Sequence, residues 1–141
     1  MERDRGEVPR PVPSMRVLVV DDNQDAAETL SMWLEIEGHQ VEMAHTGARA
    51  LEAAARSKPQ IIFLDIGLPD LNGYQVAEQL RANPELKGAW LVALTGWGSE
   101  RDQQKARAAG IDVHLTKPVS VEDLAKAVVS SQATARARQT P

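Results

Sequence analysis

The chain has 141 residues, 43% of them hydrophobic and 26% charged, the profile of a globular domain with a core of ordinary size. Its net charge of -4 argues against a passive nucleic-acid binder, which needs a basic footprint, and gives no attraction to an anionic membrane. With no cysteine, a disulfide framework, a thiolate nucleophile and a cysteine metal site are all excluded.

Met1 to Ser14 is polar and carries Pro9, Pro11 and Pro13, which reads as a flexible lead-in. It lacks the apolar stretch of a secretory signal, and no apolar run nears the roughly 18 residues of a spanning helix, so a cytoplasmic location is expected. Arg16 to Val20 is a buried strand ending in Asp21-Asp22-Asn23. Gln24 to Glu37 is a helix with Ala27, Leu30 and Leu34 on one face, Ala26 and Trp33 beside them, and Gly38 as its stop. Gln40 to Ala44 is a second strand. Thr46 caps a helix over Gly47 to Arg56, with Leu51, Ala54 and Ala55 inward, and Lys58-Pro59 ends it.

Ile61-Ile62-Phe63-Leu64 then runs straight into Asp65, followed by a loop from Gly67 to Asn72. A short run of branched and aromatic residues bounded by turn signals reads as a strand buried on both faces. Gly73 to Ala82 is a helix with Val76, Ala77 and Leu80 as its stripe, ended by Asn83-Pro84. Ala89 to Leu94 is a fourth buried strand, ending in Thr95-Gly96. Ser99 opens a fourth helix with Asp102 in capping-box position, and Gly110 closes it. Asp112 to Thr116 is a fifth strand, ending in Lys117-Pro118. Ser120, with Asp123 three residues on, caps a fifth helix whose buried face is Val121, Leu124 and Val128. Trp33 and Trp90 read as core or half-buried packing. Residues 131–141 are rich in Ala, Arg, Gln and Thr and read as a flexible tail or a truncated linker.

Strict strand–helix alternation calls for a parallel sheet covered by helices on both faces. Parallel strands end at one edge, where ligands collect in open α/β sheets. Here those ends carry Asp21-Asp22, Asp65, Thr95 and Lys117, while strand two ends in Ala44-His45-Thr46 with no comparable group. Crowded carboxylates repel: a like-charge pair 4 Å apart costs about 4 kcal/mol at an effective dielectric near 20. Either one of them protonates or a cation neutralises the set, and a hard divalent cation with oxygen ligands, such as Mg²⁺, is the natural solution. An aspartate can attack phosphorus to give an acyl phosphate, a step that needs the phosphoryl oxygens neutralised. The metal, the Lys117 ammonium and the Thr95 hydroxyl would supply this. Asp and Asn also cap helices, so one residue of Asp21-Asp22-Asn23 can cap while its neighbours bind metal. His39, His45 and His114 have no metal-ligand spacing.

The set Val-Val-Asp21-Asp22-Asn23, Phe-Leu-Asp65-Ile-Gly-Leu-Pro-Asp-Leu-Asn-Gly73, Ala-Leu-Thr95-Gly96 and Leu-Thr-Lys117-Pro118 closely resembles the receiver domain of two-component response regulators, the chemotaxis-regulator type included. The likeness spans about residues 15–130 as a single receiver domain. It implies a flavodoxin-like, doubly wound, five-stranded parallel sheet in the order 2-1-3-4-5 with five helices. It further implies that Asp65 is the phosphoacceptor, phosphorylated by a histidine kinase or a histidine phosphotransfer protein. Asp22 and Asp65 would bind Mg²⁺ directly, Asp21 through water, and the Gly67 main-chain carbonyl would add a ligand. Thr95 would be the switch hydroxyl, Lys117 the phosphate-binding lysine, and the Lys117-Pro118 bond cis. The switched surface would be helix four, strand five and helix five, presented to a downstream protein. Such a domain is a signalling module and catalyses only its own phosphoryl transfer and autodephosphorylation.

Three positions depart from the commonest pattern. His114 stands where receivers usually carry Tyr or Phe, the aromatic that moves with the switch hydroxyl. Either it moves with Thr95, its charge tuning the output surface, or it is a surface histidine on a short strand. Gly67 and Trp97 each lie two residues after a site residue and flank the route of a hydrolytic water, so both are expected to tune phosphoryl lifetime.

Other functions fit less well. A dehalogenase-like aspartyl phosphatase places its nucleophile after the first strand in Asp-x-Asp, whereas this strand ends in Asp-Asp-Asn. A flavin module cradles phosphate after strand one, where an acidic pair would repel it. A degenerate receiver used only for docking or dimerisation is opposed by the complete acidic set and Lys117, and His114 favours it. The chain reads as either a stand-alone regulator or a receiver cut from a longer protein such as a hybrid kinase.

Overall fold

Strands as apolar as Ile61–Asp65 cannot leave either face in water, so their stable arrangement is a sheet covered on both sides. The structure, a computed structural model, describes residues 13–96 and 100–139, with side chains over 13–96 and 103–133. In chain order the elements are β1 (Arg16–Val20), α1 (Gln24–Ile36), β2 (Gln40–Ala44), α2 (Gly47–Ser57), β3 (Ile61–Asp65), α3 (Gly73–Ala82), a 3₁₀ turn (Pro84–Leu86), β4 (Trp90–Thr95), α4 (Glu100–Ala108), β5 (Val113–Thr116) and α5 (Val121–Gln139). The five strands form one sheet in the order β2-β1-β3-β4-β5, every neighbouring pair parallel. That is the flavodoxin-like order the family resemblance implied.

Period-two alternation divides the strands between two cores. Leu18, Val20, Ile62, Leu64, Leu91 and Ala93 face one core, together with Ala50, Ala54, Val76, Leu80 and Ala106 from α2, α3 and α4. Val17, Val19, Ile61, Phe63, Val92 and Leu94 face the other, with Ala27 and Leu34 of α1 and Leu124 and Val128 of α5. The central strands are therefore fixed from both sides. Register pairs Val20 with Leu64, Asp65 with Leu94 and Thr95 with Thr116, so the carboxyl ends of four strands emerge side by side.

The local signals act largely as the chain predicts. Asn23 caps α1, its side chain accepting from the Ala26 N–H at 3.1 Å, so of Asp21-Asp22-Asn23 the neutral member is the cap. Thr46 caps α2 and Ser120 Oγ accepts from the Asp123 N–H at 3.1 Å. Gly38 and Gly110 adopt positive φ where α1 and α4 end. The cap expected at Ser99 lies outside the described residues.

Several expectations are corrected. Ala55 and Ala26 are exposed, and α2 instead buries Ala50, Ala53 and Ala54. Val121 is 56% exposed because it opens α5, ahead of the turn that meets the sheet, and Ala127 joins the buried face in its place. β4 begins and ends one residue later than predicted, taking in Thr95, and β5 starts at Val113. Over 131–139 the backbone is helical, continuing α5, where an aperiodic tail was expected. At the start of this stretch Ser131 is buried, its hydroxyl donating to the Val128 carbonyl at 2.6 Å, and the Gln132 amide donates across the fold to the Pro13 carbonyl at 3.0 Å.

Candidate functional site

Asp21, Asp22 and Asp65 come together at the carboxyl edge, with one oxygen of each lying within 4.8 Å of the others. Asp21 and Asp65 are buried, at 3% and 7% exposed, while Asp22 faces solvent. Backbone and cation together order the buried pair. Asp21 Oδ1 accepts from the Asn23 N–H at 3.0 Å, and Asp65 Oδ1 accepts from the Gly67 N–H at 3.1 Å. The Lys117 ammonium lies 3.4 Å from Asp21 Oδ2 and 3.5 Å from Asp65 Oδ1. Three carboxylates against one ammonium leave the cluster short of positive charge. Its donors are all hard oxygens, the set that suits Mg²⁺.

Lys117 follows β5 and reaches the carboxylates past the end of β4. Its backbone N–H donates to the Thr95 carbonyl at 2.7 Å, and the following Lys117–Pro118 peptide bond is cis. Thr95 itself is buried at the end of β4, one residue past the partner of Asp65. His114 pairs with Ala93 in the sheet and is half-buried. By alternation it stands on the same face of the sheet as Thr95, the face covered by α2, α3 and α4. Trp97 lies outside the described residues. Gly67 has room around it: a Cβ there would come no nearer than 3.9 Å to Asp65 Oδ1.

Three contributors were not singled out in the sequence. The end of β2, expected to bring nothing comparable to the edge, places the His45 ring Nδ1 2.9 Å from the Asp21 carbonyl oxygen. A carbonyl only accepts, so His45 donates from Nδ1 and steadies the acidic pair from behind. Asp70 accepts from the N–H groups of Gly47 at 2.7 Å and Ala48 at 3.0 Å, the first turn of α2. These two amides hold its carboxyl below the usual carboxylate range. Gly73 donates to the Ile66 carbonyl at 2.8 Å and closes the β3–α3 loop; a Cβ there would stand 2.6 Å from Ile66 Cα. The Gly that opens a helix after a loop was a readable signal for Gly73. No local pattern marks Asp70 or His45, whose partners lie 23 and 24 residues away.

Among the described residues, one large groove adjoins this edge. It measures about 800 Å³ and is walled by Leu30 and Trp33 of α1, Leu94 of β4, and Val119 and Leu124, with Asp21 and Lys117 at its polar end.

Residues 17–129 match the family model of the response regulator receiver domain. The chain is 37% identical over 111 residues to response regulator MprA of Mycobacterium ulcerans, covering 79% of this chain and 47% of that protein. It is 34% identical over 113 residues to protein PilH of Pseudomonas aeruginosa, covering 80% of this chain and 93% of that one. The chain thus spans about half the length of MprA. In structure it is similar to a CheY-like response regulator receiver domain protein from Methanospirillum hungatei, with a TM-score of 0.83, 26% identity, and coverage of 89% of this chain and 99% of that one. It is likewise similar to the chemotaxis response regulator CheY4 of Vibrio cholerae, with a TM-score of 0.80 and 28% identity over 84% of this chain and 99% of that one.

Proposed function

The chain belongs to the family of response regulator receiver domains, and from that premise we propose that Asp65 accepts a phosphoryl group from a phosphohistidine on a histidine kinase or phosphotransfer protein. The observation that carries this reading is the juxtaposition at Asp65: two further carboxylates within 4.8 Å and the Lys117 ammonium at 3.5 Å. An Asp65 oxygen forms the new P–O bond as the donor's N–P bond breaks, and the departing imidazole nitrogen keeps the electron pair and takes up a proton. Asp22 and Asp65, with Asp21 through water and the Gly67 carbonyl, would hold Mg²⁺. The metal, when bound, supplies positive charge to the phosphoryl oxygens. Lys117 releases Asp65 to the phosphorus and then pairs with a phosphoryl oxygen, and the Thr95 hydroxyl donates to another.

An aspartyl phosphate adds roughly -1.5 to -2 charge at the edge. Thr95 and Lys117 stand at the ends of β4 and β5, so the change is passed to α4, β5 and α5, the surface offered to a downstream protein. His114 on β5 stands on the same face as Thr95 and takes the place of the usual aromatic in that relay. Gly67 and Trp97 tune the lifetime of the phosphoryl group, and Trp97→Ala is expected to change the autodephosphorylation rate. No described helix is long and apolar enough to cross a membrane, which fits a cytoplasmic signalling module.

The test is labelling by a small-molecule phosphodonor such as acetyl phosphate with Mg²⁺. Wild type should be labelled and Asp65→Asn should not. Equal labelling of the two would remove the assignment.

A further inference from the structure

The first turn of a helix carries backbone N–H groups with no partner inside the helix, and carboxylates are favoured there. On α2 two groups answer this need. Thr46, the residue before the helix, accepts from the Arg49 N–H at 3.1 Å. Asp70 reaches in from the loop between β3 and α3 and accepts from Gly47 and Ala48 with its two oxygens. Thr46 caps locally, whereas Asp70 ties a distant loop to the helix.

The loop is also held by the Ile66 N–H on the Leu94 carbonyl at 3.1 Å and by Leu68, which is buried in the core. Gly73 N–H meets the Ile66 carbonyl at 2.8 Å, and the close approach of Gly47 to Leu71, where a Cβ would stand 2.9 Å from Leu71 Cβ, seats the loop on α2. Between these fixed points runs Gly67, whose N–H holds Asp65 Oδ1. Gly67, lacking a Cβ, is the most permissive residue between Asp65 and Asp70, and a Cβ there would come no nearer than 3.9 Å to Asp65 Oδ1. Its position is set by the anchors on either side of it: Asp65 and Ile66 at the strand end, and buried Leu68 followed by Asp70 on the N-terminus of α2.

We propose that Asp70 is a positioning residue for the metal site: by clamping the β3–α3 loop to the N-terminus of α2 it sets where the Gly67 carbonyl stands, and so sets the affinity for Mg²⁺. The inference rests on the reading of Gly67 as a carbonyl ligand given above. Groups that orient a ligand from outside the coordination sphere commonly change metal affinity by about tenfold or more when removed.

The two caps of one helix provide the test. The full chain is titrated with Mg²⁺ and followed by the amide resonances of the loop, for wild type, Asp70→Asn and Thr46→Ala. Asn presents an amide N–H₂ where Asp70 accepted from Ala48, so the clamp opens while the fold, in which Asp70 is exposed, is kept. The expected result is that Asp70→Asn weakens Mg²⁺ binding about tenfold and shifts the Gly67 resonance before metal is added. Thr46→Ala should lower the melting temperature yet keep the wild-type affinity. Wild-type affinity in Asp70→Asn, or equal weakening in Thr46→Ala, overturns the proposal. A wild type that binds no Mg²⁺ overturns the metal reading itself, a separate outcome. Should Asp70→Asn fail to fold, Asp70→Ser carries the same comparison.

Discussion

The Lys117 ammonium stands 3.5 Å from Asp65 Oδ1, so the proposed phosphoacceptor is already paired with the cation proposed to bind the phosphoryl group. The same ammonium lies 3.4 Å from Asp21 Oδ2. On the proposed function, Lys117 would compete with a metal for two buried carboxylates and yet contribute charge to the transfer. Lys117→Ala should tighten Mg²⁺ binding while slowing labelling of Asp65 by roughly a hundredfold, the usual loss for one donor to a developing anion. Calorimetric Mg²⁺ titration beside phosphodonor labelling checks both arms. Weaker metal binding in the variant would show that Lys117 supports the carboxylates and does not compete for them.

Two glycines of the acceptor loop should behave oppositely. A Cβ on Gly73 would meet Ile66 Cα at 2.6 Å and the Asp65 carbonyl oxygen at 2.9 Å, both backbone atoms that cannot swing away. Gly73→Ala should cost about 1–3 kcal/mol by overpacking and weaken Mg²⁺ binding by displacing the loop. Gly67→Ala, with its nearest contact at 3.9 Å, should leave stability near wild type. Urea unfolding of both variants is the measurement.

His39 should make stability fall in mild acid. It is buried, and its Nδ1 accepts from the Met15 N–H at 3.1 Å, which an imidazolium cannot do. Burial lowers its pKa below the ordinary 6.5, with the charge of nearby Glu37 acting weakly the other way. Below 6.5 the unfolded chain then binds more protons than the folded one, so this stability is complete above that pH and is lost as pH falls through the lowered folded-state value. Melting temperatures between pH 7.5 and 5.5 should therefore fall further for wild type than for His39→Asn, which keeps an acceptor and does not titrate. Parallel curves would exclude His39 as the source.

At the opposite edge of the sheet, Arg81 gathers several partners. Its guanidinium donates to the carbonyls of Gly110 at 2.9 Å, Ala89 at 2.7 Å and Lys87 at 3.1 Å, and to Asp112 Oδ2 at 2.7 Å. Asp112 Oδ2 also accepts from the Leu91 N–H at 2.9 Å, so the pair joins α3 to the starts of β4 and β5. Arg81→Met should cost about 2–3 kcal/mol, since several half-buried acceptors lose their donor at once. Mg²⁺ affinity should stay at the wild-type value because the site lies beyond the other end of the strands. A double-mutant cycle with Asp112→Asn should show a coupling above about 0.5 kcal/mol.

The residues themselves carried much of this. Short apolar runs ending in Asp21, Asp65, Thr95 and Lys117, in strict alternation with helices, were enough to expect a parallel sheet with chemistry at one edge, because parallel strands bring those ends together. The caps at Asn23, Thr46 and Ser120 and the positive-φ stops at Gly38 and Gly110 were also legible, since their partners lie within a few residues. Strand order was not derivable from periodicity; it came from the family resemblance, and the sheet bears it out.

What only the tertiary structure decided are contacts between residues far apart in the chain. Asp70 on α2, His45 behind Asp21, and Arg81 with Asp112 all use polar groups whose value lies in a partner more than 20 residues away. No propensity or period encodes such a pairing. Side-chain burial at the ends of helices belongs to the same class: Val121 and Ala55 fit an apolar stripe yet are exposed, because the stripe meets the sheet only where the helix axis passes over it. Local physics determines which elements form and where their charges are delivered. The distance between those charges, and so the chemistry at Asp65, follows from how the two cores hold the strands in register.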